Sequence, residues 1–414
     1  MTSQPQRVLY IVSLFPCWSE TFIVREIEQL LAHGVDVRIL SLKRPSETLV
    51  QARAAALMDR VVGPPSFPAA LVAVTMQVLR RPLRMAGVLG TLVAQLWRSP
   101  VSLAKSLVAL WRGIGALPAI RRQDPQLIHA HWATYPSTVA WALGRLADTP
   151  FSFTCHAHDI FIEDQLLRRK LSDAALAVTI SGFNRRHLAR WGAAEAGERL
   201  QVVHCGVDFA ELPAQESARR DGAIVSVGRL DPIKGFDVLI AALGTLRERG
   251  VPFDCHLIGE GPLRPRLEAQ RRSLQLEPVL SLPGAQPQEK VRSALVEASI
   301  FVMPSVVTPE GNQDGIPVAL MEAMACGMAV VGTRVSGIPE LIEHDVSGIL
   351  VEPGDSQALA GAIERLLSDA ALRQRLGAVA RERVRQDFNV AAETRRLLSL
   401  FGRALHPQGA ADAR

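Results

Sequence analysis

Several absences narrow this chain before any motif is read. Its five cysteines, Cys17, Cys155, Cys205, Cys255 and Cys326, are odd in number, and no two stand at a C-x-x-C or metal-binding spacing. That argues against a disulfide scaffold and a structural zinc site. Each cysteine is expected to be a small buried hydrophobe in a reducing cytosol. No run of ~20 apolar residues is free of breakers and charge, so no membrane-spanning helix is expected. The uncharged run at residues 61–79 is interrupted by Pro64, Pro65 and Pro68. The apolar run at 8–14 is short and lacks a small-residue cleavage site, which makes it a first strand and not a signal peptide. No third glycine follows Gly259-Glu-Gly261 at the spacing of a dinucleotide fingerprint, which disfavours a dehydrogenase.

Acid is missing from one long stretch. Between Arg60 and Gln123 there is no Asp or Glu, while Arg60, Arg80, Arg81, Arg84, Arg98, Lys105, Arg112, Arg121 and Arg122 supply nine positive charges. The whole chain is only +5, so everything outside this stretch sums to −4. An anionic partner is therefore expected to meet this segment and not the body of the protein. Basic and aromatic residues do not interleave on a sheet motif, so nucleic acid is not an expected partner. With 414 residues, 48% of them apolar and 21% charged, the chain is a folded protein of two or three domains.

Both halves alternate short β-rich runs with amphipathic helical stretches. Strands are expected at 7–12, 35–40, 127–130, 151–154 and 175–180. A helix over 19–33 carries Phe22, Ile23, Ile27, Leu30 and Leu31 at helical spacing and stops at Gly34. The second half restarts with strands at 223–227, 254–258, 299–303, 328–331 and 348–351, with helices from Phe236 and over 316–325. Such alternation predicts α/β architecture with parallel sheets covered on both faces. Two Rossmann-like domains facing across a deep cleft are expected. The first is 1–210, with a basic helical insertion at about 60–123; the second is 211–385; a C-terminal helix and tail occupy 386–414. The linker is placed near 210–222. Ligands of such sheets bind at the carboxyl ends of the strands.

Two segments carry chemistry. In Val-Gly-Arg-Leu-Asp-Pro-Ile-Lys-Gly-Phe, residues 227–236, a strand ends at Gly228, where backbone can approach a ligand closely. Arg229, a fork for phosphate oxygens, and Lys234, a movable point charge, precede a helix whose N–H groups add to the positive field. This set suits a diphosphate leaving group; a solvated basic loop is the plain alternative. In the segment 311–327, Gly315, Ile316 and Pro317 turn into a helix, with Asp314 at the loop tip and Glu322 eight residues on among Leu320, Met321, Ala323 and Met324. A carboxylate in such apolar company needs a partner, and paired ribose hydroxyls suit it; the alternative is an exposed Glu on a solvent face.

These segments resemble the donor-binding signature of retaining glycosyltransferases of the GT-B fold, family four. Gly-Val-Asp at 206–208 and the Thr333 to Glu340 run, Thr-x-x-x-Gly-x-x-Glu, extend the resemblance. Ser-Glu-Thr-Phe-Ile at 19–23 with Arg25-Glu26, His-Ala-His at 129–131, and Ser-Phe-Thr-Cys-His-Ala-His-Asp-Ile-Phe at 152–161 resemble the colanic-acid-type exopolysaccharide enzymes. The resemblance implies that Arg229 and Lys234 bind the donor diphosphate, Glu322 the nucleotide ribose, and His156 the neighbourhood of donor sugar and acceptor. Asp314 stands where the family usually has Glu, one methylene longer, against the donor sugar. The paired glycines of the family's first loop are replaced by residues 15–21, with Ser19 and Thr21 as acceptor contacts. His129, His131 and His158 are expected to orient loops or touch substrate edges. No metal and no cofactor beyond the nucleotide-sugar donor are implied. The implied activity is retaining hexosyl transfer to a lipid-linked or oligosaccharide acceptor. A GT-B sugar-nucleotide epimerase and a weakened homologue acting as a membrane-associated assembly partner are the alternatives.

In the acid-free stretch, Pro82, Pro100 and Pro118 are expected to divide residues 69–122 into short helices. On a helical wheel Ser102, Lys105, Ser106, Ala109, Arg112 and Gly113 share a narrow polar strip, and Leu103, Leu107, Val108, Leu110 and Trp111 fill the rest. With Trp97 and Trp111 as anchors, such helices suit an anionic membrane surface, at the inner face of the cell membrane. The alternative is an insertion whose helices pack on the first sheet.

Overall fold

The computed structural model describes residues 4–17, 20–44, 51–162, 166–190, 197–212 and 219–406. Ser19 and the middle of the expected linker lie outside the described residues. The chain divides into two compact units, Met1–His204 with Val390–Arg414, and Cys205–Asn389. Residues 386–414, set apart in the sequence as helix and tail, thus split, and most of them join the first unit.

Among the described residues the first unit holds seven parallel strands: β1 (Arg7–Leu14), β2 (Asp36–Lys43), β3 (Val61–Val62), β4 (Leu127–His131), β5 (Phe151–Cys155), β6 (Leu176–Thr179) and β7 (Leu200–Val202). Their order is β3-β2-β1-β4-β5-β6-β7. Parallel strands are covered on both faces, and β4 and β5 are buried at every position. The helix α1 (Thr21–Ala32) buries Ile23, Val24, Ile27 and Leu30, and Gly34, at φ 82°, lets the chain turn back into β2. After the short α2 (Ala52–Ala56), the acid-free stretch forms three helices, α3 (Phe67–Arg80), α4 (Pro82–Leu96) and α5 (Pro100–Gln123). The helix α6 (Tyr135–Ala147) packs beside β1, β4 and β5. The short helices α7 (His158–Phe161), α8 (Leu167–Asp173) and α9 (Gly182–Leu188) follow.

The insertion departs from expectation in two ways. Pro118 does not end α5, which runs 24 residues through it. Packing of the last turns, where Leu117 and Ile120 are buried, offsets the hydrogen bond that proline removes. The supposed polar strip is also the packed face: Ser106, Ala109 and Gly113 are buried, because small residues let α5 approach α6. A Cβ on Gly113 would stand 2.5 Å from Val139 Cγ1. By length and composition alone α5 could cross a membrane, contrary to the sequence expectation, but half of its most apolar window is buried within the unit.

Among the described residues the second unit repeats the plan with six parallel strands: β8 (Arg220–Val227), β9 (Asp254–Ile258), β10 (Leu280–Gly284), β11 (Ala298–Met303), β12 (Ala329–Thr333) and β13 (Ile349–Val351). Their order is β10-β9-β8-β11-β12-β13. Helices α10 (Phe236–Glu248), α11 (Arg264–Ser273), α12 (Gln288–Glu297), α13 (Val318–Ala325) and α14 (Ile338–Leu341) connect them, and α15 (Ser356–Ser368) and α16 (Ala370–Asp387) follow β13. Pro317 is the N-cap of α13 and not a residue of its first turn, so that helix begins at Val318.

The last helix, α17 (Val390–Leu405), returns to the first unit. Leu397, Leu398, Leu400 and Phe401 join the cluster of Val8, Tyr10 and Val12, and the Phe401 ring lies 5.1 Å from that of His129. Glu393 Oε2 accepts from the backbone N–H of His204 at 2.7 Å. The helix is therefore a structural part of the first core. Phe401→Ala is expected to cost about 3–5 kcal/mol of stability, as for other buried phenylalanines, measured as a lowered urea midpoint of the full chain.

Candidate active site

In both units the sheet reverses its winding between two neighbouring strands, β1 and β4 in the first, β8 and β11 in the second. Loops leaving the carboxyl ends of such strands diverge and leave room for a ligand. The residues singled out in the sequence cluster after these strands.

In the second unit, the loop after β8 carries Gly228, Arg229 and Lys234, and the loop after β11 carries Asp314. Lys234 Nζ donates to Asp314 Oδ2 at 2.5 Å, and Ser305 Oγ donates to the same oxygen at 3.2 Å. Both charged side chains are largely buried, at 15% and 14% exposure, so the pair is held and not loosely solvated. Backbone contacts set this geometry. Gly235, at φ 63°, precedes α10, and a Cβ there would lie 2.1 Å from Pro304 O. Val306 N–H donates to Ile233 O at 2.9 Å, tying the two loops together. The Gly259-Glu-Gly261 pair is structural: a Cβ on Gly259 would stand 1.8 Å from Gly228 O, and Leu230 N–H donates to Glu260 O at 2.9 Å.

The other expected donor residues are placed separately. The Lys234 stem lies near Gly228, where a Cβ would be 3.6 Å from Lys234 Cδ and Cε. The Arg229 side chain is 69% exposed, with its guanidinium 3.8 Å from Asp231. Gly315, Ile316 and Pro317 are buried at the entry to α13. Glu322 is 4% exposed, not on a solvent face, and its Oε1 accepts from Gln288 Nε2 at 3.4 Å. Beyond it, burial pushes the Cys326 thiol up to about 11, which suits an inert structural cysteine.

In the first unit, His156 follows β5 and is 4% exposed. Its loop is clamped by Asp159, whose carboxylate accepts the backbone N–H groups of Ala133 (2.6 Å), His156 (3.0 Å) and Ala157 (2.8 Å). Burial raises the Asp159 carboxyl above its ordinary range against the pull of those bonds. Lys170, fully buried, donates to Ala133 O and Thr134 O. The His156 ring is flanked by Phe22 (4.8 Å), Trp132 (4.6 Å) and His131 (5.3 Å). Trp132 holds a left-handed backbone, φ 77°, and its Nε1 donates to Glu20 Oε1 at 3.1 Å. Strain at a bulky residue of this kind concentrates at working sites.

Three residues of this network were given no role by the sequence: Tyr10, Glu26 and Trp132. Tyr10 Oη donates to Glu26 Oε1 at 2.6 Å, and His131 Nε2 meets the same oxygen at 3.1 Å. His131 Nδ1 lies 3.1 Å from His156 Nε2. Glu26 stood inside the Arg25-Glu26 motif, but nothing in the spacing showed that α1 would carry it to β4. Glu26, His129 and His131 bring ligand atoms within 4.8 Å of one another, a spacing a metal ion could use. The two ring nitrogens of His129, however, are engaged by Ser152 Oγ (2.8 Å) and Thr154 Oγ1 (3.1 Å), which assigns that ring to a hydrogen-bond network. Burial keeps the His129 and His156 rings well below the usual imidazole range, with His131 adding to the effect.

Comparison with known proteins agrees with this layout. Residues 19–211 match the family described as Glycosyltransferase Family 4, and residues 208–383 match Glycosyl transferases group 1. WcaL of Escherichia coli, named as a colanic acid biosynthesis glycosyltransferase, is 42% identical over 212 residues, 49% of this chain and 51% of WcaL. AmsK of Erwinia amylovora, an amylovoran biosynthesis glycosyltransferase, is 39% identical over 208 residues, 50% of this chain and 51% of AmsK. The chain thus spans about half the length of these curated relatives in the matched region. Among solved structures, sucrose-phosphate synthase from Thermosynechococcus elongatus superimposes with a TM-score of 0.72 at 21% identity, covering 99% of this chain and 100% of the other. Anabaena HepE, solved with UDP and glucose, gives 0.68 at 18% identity, covering 95% and 98%. These likenesses show the GT-B fold.

The Asp159 clamp is directly testable. Asp159→Ala leaves three backbone N–H groups without their acceptor, at roughly 1–3 kcal/mol for each one that stays buried. Chemical denaturation should show a loss of that size.

Proposed function

The chain belongs to the glycosyltransferases of family 4 and group 1, and on that premise we propose that it moves a hexose from a nucleotide-sugar donor to a saccharide acceptor, with retention, in exopolysaccharide synthesis. The observation that carries this is the Lys234–Asp314 pair at the second switch point, two expected donor residues eighty positions apart brought to 2.5 Å. Lys234 and the more exposed Arg229 would stabilise the charge that grows on the departing diphosphate. The N–H groups at the start of α10 point the same way. Asp314 would hold Lys234 through Oδ2 and take a donor-sugar hydroxyl with its other oxygen. Glu322 and Gln288 would receive the ribose. An oxygen of the departing phosphate would take the proton of the incoming hydroxyl on the face the leaving group vacates. His156 would contact the transferred sugar.

We further place the acceptor on a lipid carrier, with the enzyme peripheral at the inner face of the cell membrane. Among the described residues, fourteen of the eighteen exposed large apolar side chains lie between Met58 and Val108. Leu79 and Leu83, at 76% and 87% exposure, mark the turn between α3 and α4. The charges support this less than the sequence suggested. Arg81 and Arg84 both bind Asp148, and Arg60 binds Asp36. The apolar side chains would therefore provide most of the attachment.

Two tests follow. Lys234→Ala is expected to lower turnover by two orders of magnitude or more and to abolish the thermal shift given by the matching nucleotide sugar, while the fold persists; near-normal turnover would remove the donor-site assignment. Product analysis with donor alone separates transfer from epimerisation. On liposome flotation, Leu79→Asp with Leu83→Asp should weaken lipid binding by about a hundredfold or more, since each buried Leu is worth ~1.5–3 kcal/mol. Unchanged flotation would remove the membrane assignment.

A further inference from the structure

Gln288 and Glu322 lie on two helices that β11 and its loop separate in the chain. Gln288 opens α12, which runs into β11, and Glu322 lies in α13, beyond the loop that follows that strand. Each helix ends in carbonyl groups that have no partner within the helix. One side chain meets both ends. Arg219, half-buried just before β8, donates from Nη1 to Leu295 O (2.8 Å), Val296 O (3.1 Å) and Ala298 O (2.7 Å) at the end of α12. From Nη2 it donates to the carbonyl of Cys326, the C-cap of α13, at 2.5 Å. Cys326 N–H in turn donates to Glu322 O at 3.0 Å, so this cap stands one helical turn beyond Glu322. Arg381 also holds the end of α13, at Ala325 O, and leaves the tie to α12 to Arg219. A guanidinium suits the place. Its flat fork sends donors to two targets at once, and its charge faces the negative ends of two helix dipoles.

We propose that Arg219 is a positioning residue for the nucleotide. By tying the ends of α12 and α13 together it sets Gln288 against Glu322, and so holds the Glu322 carboxylate where the ribose hydroxyls meet it. This rests on the assignment of Glu322 and Gln288 to the ribose. The contact from Gln288 Nε2 to Glu322 Oε1 is long, at 3.4 Å, and by itself fixes the two helices only loosely. The Arg219 bonds are charge-assisted, and three of them are 2.8 Å or shorter, so the tie at the helix ends is the stronger one. Arg219 acts from the C-terminal ends of both helices and not on the nucleotide itself.

Calorimetric titration of the full chain with UDP, GDP and ADP identifies the diphosphate that binds. Its dideoxy form, which lacks both ribose hydroxyls, shows what those hydroxyls contribute. Arg219→Lys keeps the charge but offers one ammonium in place of a fork between two helices. It is expected to weaken the ribonucleotide about tenfold, near the worth of one hydrogen bond, and the dideoxy form by less than about twofold. Equal weakening of both forms overturns the proposal, because a residue that only supports the fold does that. Unchanged binding of both overturns it too. In a Glu322→Gln background Arg219→Lys should add nothing, and losses that simply add also count against the proposal. If Arg219→Lys does not fold, Arg219→Gln, which keeps a planar pair of donors, is read in the same way. Equal affinity of the wild-type protein for both forms, or binding of none of the three diphosphates, would instead refute the ribose assignment and take the proposal with it. That outcome is seen before any variant is made.

Discussion

A parallel strand buried on both faces can offer chemistry only at its ends, and that constraint arranges everything else in this protein. Both sheets are parallel throughout, and each reverses winding once, between β1 and β4 and between β8 and β11. The loops that leave those carboxyl ends are the places where polar groups can gather without breaking a strand ladder. His131 is the last residue of β4 and His156 the first after β5. Gly228 is the first after β8, and Asp314 lies in the loop that follows β11. Sites in such a fold are built from residues distant in sequence, because each strand contributes one loop.

The two units solve the same problem with different materials. The second brings its loops together by backbone. Gly235 and Gly259 sit where any side chain would collide with a carbonyl oxygen, Gly235 against the loop that carries Asp314 and Gly259 against Gly228. The first brings side chains into its dry interior and must satisfy each of them. Asp159 accepts three N–H groups, His129 engages one hydroxyl with each ring nitrogen, and Glu26 accepts Tyr10 and His131 on one oxygen. The aromatic faces of Phe22 and Trp132 then close around His156. A rigid hydrogen-bond chain of this sort orients a ring more narrowly than packing can.

Much of this was legible from periodicity and motif. The strands at the switch points, the loop 227–236 and the Asp314/Glu322 spacing were all visible, because strand ends and glycines leave local marks in a sequence. What was not visible depended on tertiary pairing. Glu26 reads as one acid on an amphipathic helix until α1 brings it to His131 at the end of β4, and Tyr10 reads as a core aromatic until its hydroxyl finds Glu26. The edge strands β3 and β7 are two and three residues long, and the edge strand β10 reads Leu-Ser-Leu-Pro-Gly, too little apolar signal for a strand to be seen. The helix α17 looked like an appendage because nothing in its own pattern names the core it joins. Pro118 looked like a breaker because proline's local cost is legible and the packing that offsets it is not.

The acid-free stretch changed its meaning most. Nine positive charges in one segment suggested attraction at a distance, yet the fold spends several of them within the first unit. Arg81 and Arg84 meet Asp148, Arg60 meets Asp36, Arg112 donates to Leu42 O and Arg121 to Gln77. These contacts pin α3, α4 and α5 to the sheet and to α6, and so hold outward the faces that carry Leu79 and Leu83. The missing acids matter for a second reason: no carboxylate of the segment itself stands among those apolar side chains to oppose an anionic surface. A surface built this way depends mainly on buried apolar area and only weakly on long-range charge, so its attachment should change little with ionic strength. The net charge of +5 is then a poor guide to what the protein meets. The better guide is which of those charges already have partners inside the fold.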